Sequence, residues 1–140
     1  MKQAVLLMLT ALLAVAASTV ASAQERGTLA LVYYWKAKPG QLESYNRYIR
    51  EVAEPIDEEA RSRGAFLSVT TFVSQKPDGP WTHMRVFVLR DKAQLDGLSK
   101  ALDAAGAALE PDEAKRKARS EYAATLRDFV AQEVVAILGR

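Results

Sequence analysis

The sequence predicts an α+β domain with a split β-α-β order, in which an antiparallel sheet carries helices on one face. Three observations lead there. Thr28–Lys38, Ala65–Ser74 and Trp81–Leu89 alternate in side-chain character with the period of a strand. Gln41–Arg63 and the region from Asp91 onward repeat apolar residues at steps of three and four, the period of a helix. The order that results is β-α-β-β-α, which a strand drawn from the β-branched run Phe129–Leu138 would complete.

The chain has 140 residues. Its start has the make-up of a secretory leader: a basic Met1-Lys2, an apolar Ala4–Val20, then the small residues Ala21-Ser22-Ala23. Residues 1–23 are therefore expected to be removed after Ala23, leaving 24–140 as one domain in the periplasm or outside the cell. The apolar run is short for a membrane span, and no second run follows it, so no stable membrane insertion is expected after cleavage. There is no cysteine, which leaves packing and oligomerisation to supply the stability. A formal net charge of +2 gives no electrostatic case for nucleic acid. The one basic run, Lys115–Arg119, is interleaved with alanine and reads as a solvated helix face.

Taken in order, Gln24–Gly27 is a lead-in. The first strand, Thr28–Lys38, sets Leu29, Leu31, Tyr33 and Trp35 on one face and Ala30, Val32, Tyr34 and Lys36 on the other; Pro39-Gly40 ends it. The helix Gln41–Arg63 carries an inward stripe of Leu42, Tyr45, Ile49, Val52, Ile56 and Ala60. Glu54, Asp57, Glu58 and Glu59 are assigned to its wet side. Pro55 should kink or split it near Glu54, because proline lacks an N–H and crowds the preceding turn. Gly64 suits the position just past a helix end.

Ala65–Ser74 and Trp81–Leu89 flank the turn-forming QKPDGP and read as a hairpin. Asp91 with Gln94 three residues later makes a helix start, and Leu95, Leu98, Leu102 and Ala105 continue an inward stripe to Gly106. Pro111 suits the first turn of a further helix running from Asp112 to about Asp128, with Ala114, Ala118, Tyr122 and Leu126 inward. Phe129–Leu138 either extends that helix or forms the fourth strand; strand is preferred because it completes the order.

Sorting strand residues by face gives an aliphatic set (Ala30, Val32, Leu67, Val69, Val73, Met84, Val86, Val88) and an aromatic-polar set (Tyr33, Trp35, Phe66, Ser68, Thr70, Phe72, Trp81, His83, Arg85, Phe87). The aliphatic set is expected under the helices. The aromatic-polar set is then left on the open side, where a second copy of the sheet would cover it.

The strand end LVYYWKAKPG, the helix with Tyr45 that follows it, the glycine-terminated helix end and the hairpin resemble the dimeric α/β-barrel superfamily of ferredoxin-like domains. Its members include antibiotic-biosynthesis monooxygenases, EthD-like, NIPSNAP-like and stress-responsive barrel proteins. The resemblance implies a homodimer with a cavity on the open sheet face for a small aromatic or apolar molecule, lined by Tyr33, Trp35, Ser68, Thr70, Phe72, His83 and Arg85. No cofactor is expected, although some barrels of this type handle haem.

His83, the only histidine, could be a general base for an acidic phenol or 1,3-dicarbonyl carbon. Arg85 would then hold the oxyanion. That chemistry would suit a cofactor-independent monooxygenase or a cyclase/isomerase. The competing reading is a structural or interaction module in which His83 and Arg85 only satisfy polar groups at a dimer seam. No metal-ligand spacing, phosphate loop or G-x-S-x-G is present, and a haem on His83 has no supporting motif.

Overall fold

The computed structural model describes residues 25–139; the leader and its cleavage site lie outside the described residues. The elements are β1 (Leu29–Ala37), α1 (Leu42–Tyr48), a π-helical turn (Ile49–Ala53), α2 (Glu54–Ser62), β2 (Ser68–Val73), β3 (His83–Leu89), α3 (Lys92–Leu109), α4 (Glu113–Leu126) and β4 (Arg127–Ala136). The four strands form one antiparallel sheet in the order β2-β3-β1-β4. This is the ferredoxin-like arrangement, with the sheet open rather than closed into a barrel. The C-terminal run is a strand, as its β-branched composition and the element order favour.

Register decides which residues share a face; it overturns the sorting by chemical character in β1 and β3 and bears it out in β2, where Val69 and Val73 face the helices and Ser68, Thr70 and Phe72 the open side. Directly opposed residues point the same way. Leu29, Leu31, Tyr33 and Trp35 lie opposite Leu89, Phe87, Arg85 and His83. Ser68, Thr70 and Phe72 lie opposite Val88, Val86 and Met84. The helices cover the first group: Leu31, Phe87 and Leu89 form the core with Ala60, Phe66, Leu98 and Ala105.

Of the aliphatic residues expected under the helices, Met84, Val86, Val88, Ala30 and Val32 therefore point to the other side, where Ala30 and Val32 of the central β1 are buried and the three β3 residues are partly exposed. His83 and Arg85 sit on the covered side. The physical reason is volume. The space between sheet and helices is filled by rings, with Phe66 edge-on to Phe87 at 5.1 Å and Phe87 edge-on to Tyr33 at 6.0 Å.

Two backbone irregularities shape the covered side. The first is the π turn. The Glu54 N–H reaches back five residues to the Ile49 carbonyl, and Pro55 sits in the first turn of α2. In a straight α-helix the proline ring would crowd the carbonyl four residues earlier, and the wider turn relieves this. The extra residue also rotates α2 by one position, so Asp57, assigned from periodicity to the wet side, is buried at 4% exposure.

The second irregularity is a bulge in β4. Tyr34 pairs with Ala131 and Trp35 with Phe129, leaving Val130 without a partner. Arg127 and Phe129 thereby share the helix side with Gln132 and Val134. Helix α4 is also looser than its sequence suggests: Ala123 and Leu126 are buried, whereas Ala114, Ala118 and Tyr122 are exposed. Its N-cap is Asp112, which accepts the Lys115 N–H at 3.2 Å. Among the described residues no helix is long and apolar enough to cross a membrane.

Leu89 is fully buried in the main core and Leu109 is about half exposed. Leu89→Ala should destabilise the fold by about 2–5 kcal/mol, and Leu109→Ala by less than about 1 kcal/mol. Urea unfolding of the two variants measures the difference.

Candidate functional site

The covered side of the sheet carries two polar constellations and a groove. The first constellation surrounds His83, whose residue exposure is 0%. Its Nδ1 lies 2.8 Å from Thr82 Oγ1 and its Nε2 lies 2.8 Å from Asn46 Oδ1. Thr82 Oγ1 accepts the Ala37 N–H at 2.7 Å, and its own hydrogen has two acceptors in reach, the Trp35 carbonyl at 3.3 Å and Nδ1 at the shorter 2.8 Å. Asn46 Oδ1 can only accept, which places the ring hydrogen on Nε2 and leaves Nδ1 to take the Thr82 hydroxyl. Nε2–H then donates to Asn46. The imidazole is thus a neutral ring with both nitrogens satisfied, packed edge-on to Tyr45 at 4.3 Å between centroids. Burial lowers its pKa from 6.5 to about 4, with the positive charges of Arg127 and Arg85 adding to the effect.

The second constellation is the buried ion pair between Arg85 of β3 and Asp57 of α2. Arg85 Nε also donates to Thr71 Oγ1 at 3.2 Å. Burial pushes the Asp57 carboxyl above its ordinary range, and the adjacent guanidinium opposes that rise.

The groove lies between α3, α4 and the β1–β4 edge, with a volume of about 1070 Å³. Trp35, Arg127 and Phe129 contribute from the sheet, Tyr48 and Ile56 from either side of the π turn, and Arg116, Ser120 and Ala123 from α4. Phe129 is 53% exposed and meets Trp35 edge-on at 5.3 Å. The Arg127 guanidinium lies 3.7 Å from the centre of the Trp35 ring. Its Nη1 donates to Tyr45 Oη at 2.7 Å, and Tyr45 in turn touches His83. The bulge at Val130 puts Arg127 and Phe129 on the same side as Trp35.

The residues expected to line one cavity are divided by the sheet. Tyr33, Trp35, His83 and Arg85 point toward the helices; Ser68, Thr70 and Phe72 point to the open side. Of the seven, only Trp35 lines the groove. Tyr33 packs against the core cluster and stacks on Trp35 at 6.5 Å. Sequence reasoning missed Asn46, Asp57, Tyr48, Arg127 and Phe129. Asp57 was hidden by the π turn and Arg127 by the bulge. A carboxylate placed one residue after an inward Ile56, just past a mid-helix proline, was the available hint.

Among the described residues, no group of three or more His, Asp or Glu side chains could hold a metal ion. His83 offers no free nitrogen as an axial ligand.

Two measurements probe these constellations. Between pH 6.5 and about 4 the unfolded chain binds a proton at His83 that the folded chain refuses. The His83 contribution is therefore fully present above about pH 6.5 and is lost as pH falls toward 4, by on the order of 3 kcal/mol. Subtracting the stability–pH curve of His83→Gln from that of the wild type should show this loss and no change above pH 7. Asp57→Ala should cost about 3–5 kcal/mol by stranding the Arg85 charge. The double variant Asp57→Leu/Arg85→Met should be closer to wild type than Asp57→Ala in the same denaturation assay.

No family model matches the chain, and no curated protein matches it. Among solved structures, the chain is similar to HapK from Hahella chejuensis, with a TM-score of 0.56 and 10% sequence identity over 80% of this chain and 94% of that one. At that identity the likeness concerns the fold, and it agrees with the α+β arrangement described above.

Proposed function

We propose that the protein is a homodimeric small-molecule-binding domain whose ligand site is the groove on the helix side of the sheet. The observation that carries this reading is the groove itself: a concavity of ligand size whose sheet side presents the rings of Trp35 and Phe129. It moves the expected cavity from the open face to the covered one and keeps the expected class of a small aromatic or apolar ligand.

The open face supports the dimer. Among the described residues no helix covers this side, which carries Tyr34, Phe72, Met84, Val86, Val88 and Val135; Phe72 is 46% exposed and Val135 39%, while Ala30 and Val32 on the central strand β1 are buried. A patch of that kind on a sheet is an association surface. A second copy laid face to face covers it with a self-complementary contact, as in the dimeric α/β barrels that the sequence resembles. Tyr34 Oη donates to Glu133 Oε1 at 2.8 Å across this face, a polar element that would fix the angle of the partner sheet. The leader-like composition of residues 1–23 supports a location in the periplasm or outside the cell.

Catalysis by His83 as a general base draws no support from the site. A base needs a nitrogen that can reach substrate and a pKa near the working pH. His83 is enclosed, both of its nitrogens are engaged, and its pKa is depressed to about 4. Arg85, the proposed oxyanion partner, is committed to Asp57 and Thr71.

Two measurements test the reading. Light scattering at micromolar concentration should give twice the protomer mass, and Val86→Lys on the open face should give the monomer; a wild-type monomer removes the dimer. A thermal-shift screen of small aromatic compounds should raise the melting temperature, and Phe129→Ala should reduce the shift by half or more. Shifts that Phe129→Ala leaves unchanged would place binding elsewhere.

A further inference from the structure

We infer that the groove takes a flat aromatic ligand bearing a carboxylate, and that Arg127 is the residue that binds the charge. This rests on the groove being the ligand site and adds the chemical class.

Arg127 opens β4, directly after α4. Its guanidinium lies over the Trp35 ring, with the Tyr45 and Tyr48 rings 5.2 Å and 5.9 Å away. A guanidinium carries five N–H donors in a rigid fork. The bond to Tyr45 Oη uses one of them. Among the described residues, no carboxylate lies within ion-pair distance of Arg127 and no other acceptor takes its remaining hydrogens. Arg85, which faces the same side of the sheet, is paired with Asp57; Arg61, Arg63 and Arg90 also have carboxylate partners. Arg127 is thus a half-buried cation, held in orientation by an aromatic stack and lining a groove, with its fork unfilled.

A carboxylate is the group whose two oxygens match that fork. The surface beside it selects the rest of the ligand. Trp35 and the half-exposed Phe129 present an apolar wall at which a flat ring can stack.

The acids of the lining do not reverse the sign. Asp103 and Glu113 are exposed residues of the helices, and Asp128 faces Lys38 at 3.6 Å. A cationic ligand reaching the sheet would meet Arg127. Arg116, bound through Nη1 to the carbonyls of Glu110 and Pro111 at 2.8 Å and 2.9 Å, adds a further positive charge to the α4 wall.

The test uses calorimetric titration of the protein with three probes: 2-naphthoate, its neutral isostere 2-naphthamide, and cyclohexanecarboxylate, which keeps the charge without the flat ring. The expected result is that 2-naphthoate binds at least tenfold tighter than either of the others. Arg127→Met should weaken 2-naphthoate at least tenfold and leave 2-naphthamide within twofold, and Arg127→Lys should restore only part of the loss. Equal affinity of 2-naphthoate and 2-naphthamide for the wild-type protein, both weakened by Phe129→Ala, would overturn the carboxylate inference while leaving the groove as the site. That comparison needs no Arg127 variant, so it stands even where Arg127→Met fails to fold. Binding of 2-naphthoate that Arg127→Met leaves unchanged would also overturn it. Failure of every probe to bind at millimolar concentration would overturn both the inference and the groove reading.

Discussion

The buried ion pair between Asp57 and Arg85 is the interaction on which the arrangement of this domain most depends. It joins α2 to the central strand β3 beside the apolar core cluster. Neither charge is tolerable there alone, since taking an ion out of water costs several kcal/mol unless a partner and hydrogen bonds compensate. The pair therefore acts as a registration device. It is satisfied only when α2 is rotated so that Asp57 points inward and when β3 presents Arg85 to the helices. That choice for β3 also sends His83 inward and Met84, Val86 and Val88 outward, because alternate residues of a strand are locked to opposite faces.

The rotation of α2 depends on the π turn, and the turn depends on Pro55. A helix uninterrupted from Leu42 would have kept the inward stripe in phase and left Asp57 in water. On the other side of the groove, the bulge at Val130 has an equivalent effect on β4: one unpaired residue shifts the phase and brings Arg127 and Phe129 to the side of Trp35. Both irregularities adjoin the groove, and each changes which side chains it receives. Such features recur where a regular element would aim the wrong residue.

The two faces of the sheet then have separate tasks. The covered face holds a core of interlocked rings, two satisfied polar constellations and the groove. The open side keeps the aliphatic residues of β3 and Phe72 of β2. His83, the most conspicuous residue in the sequence, becomes a linchpin between β3 and α1 through Asn46, with Tyr45 connecting it to Arg127. Its neutrality follows from burial among two arginines.

The sequence by itself determined the elements and their order. Alternation in Thr28–Lys38 and Trp81–Leu89, the spaced stripe of Gln41–Arg63 and the Asp91 cap are local signals, and local signals are written in neighbouring residues. Composition also carried the split at Pro55, and the β-branched C-terminal run reads correctly as a strand. Tertiary structure alone decided which face of the sheet meets the helices. Both faces of β1 and β3 are apolar enough to be buried, so alternation showed that two faces exist without ranking them. The ranking came from ring volume and from partners distant in sequence, Asp57 for Arg85 and Asn46 for His83. The groove was illegible for the same reason: Arg127, Phe129 and Trp35 meet only after a strand pairing across the length of the chain and a one-residue bulge, neither of which leaves a periodic trace.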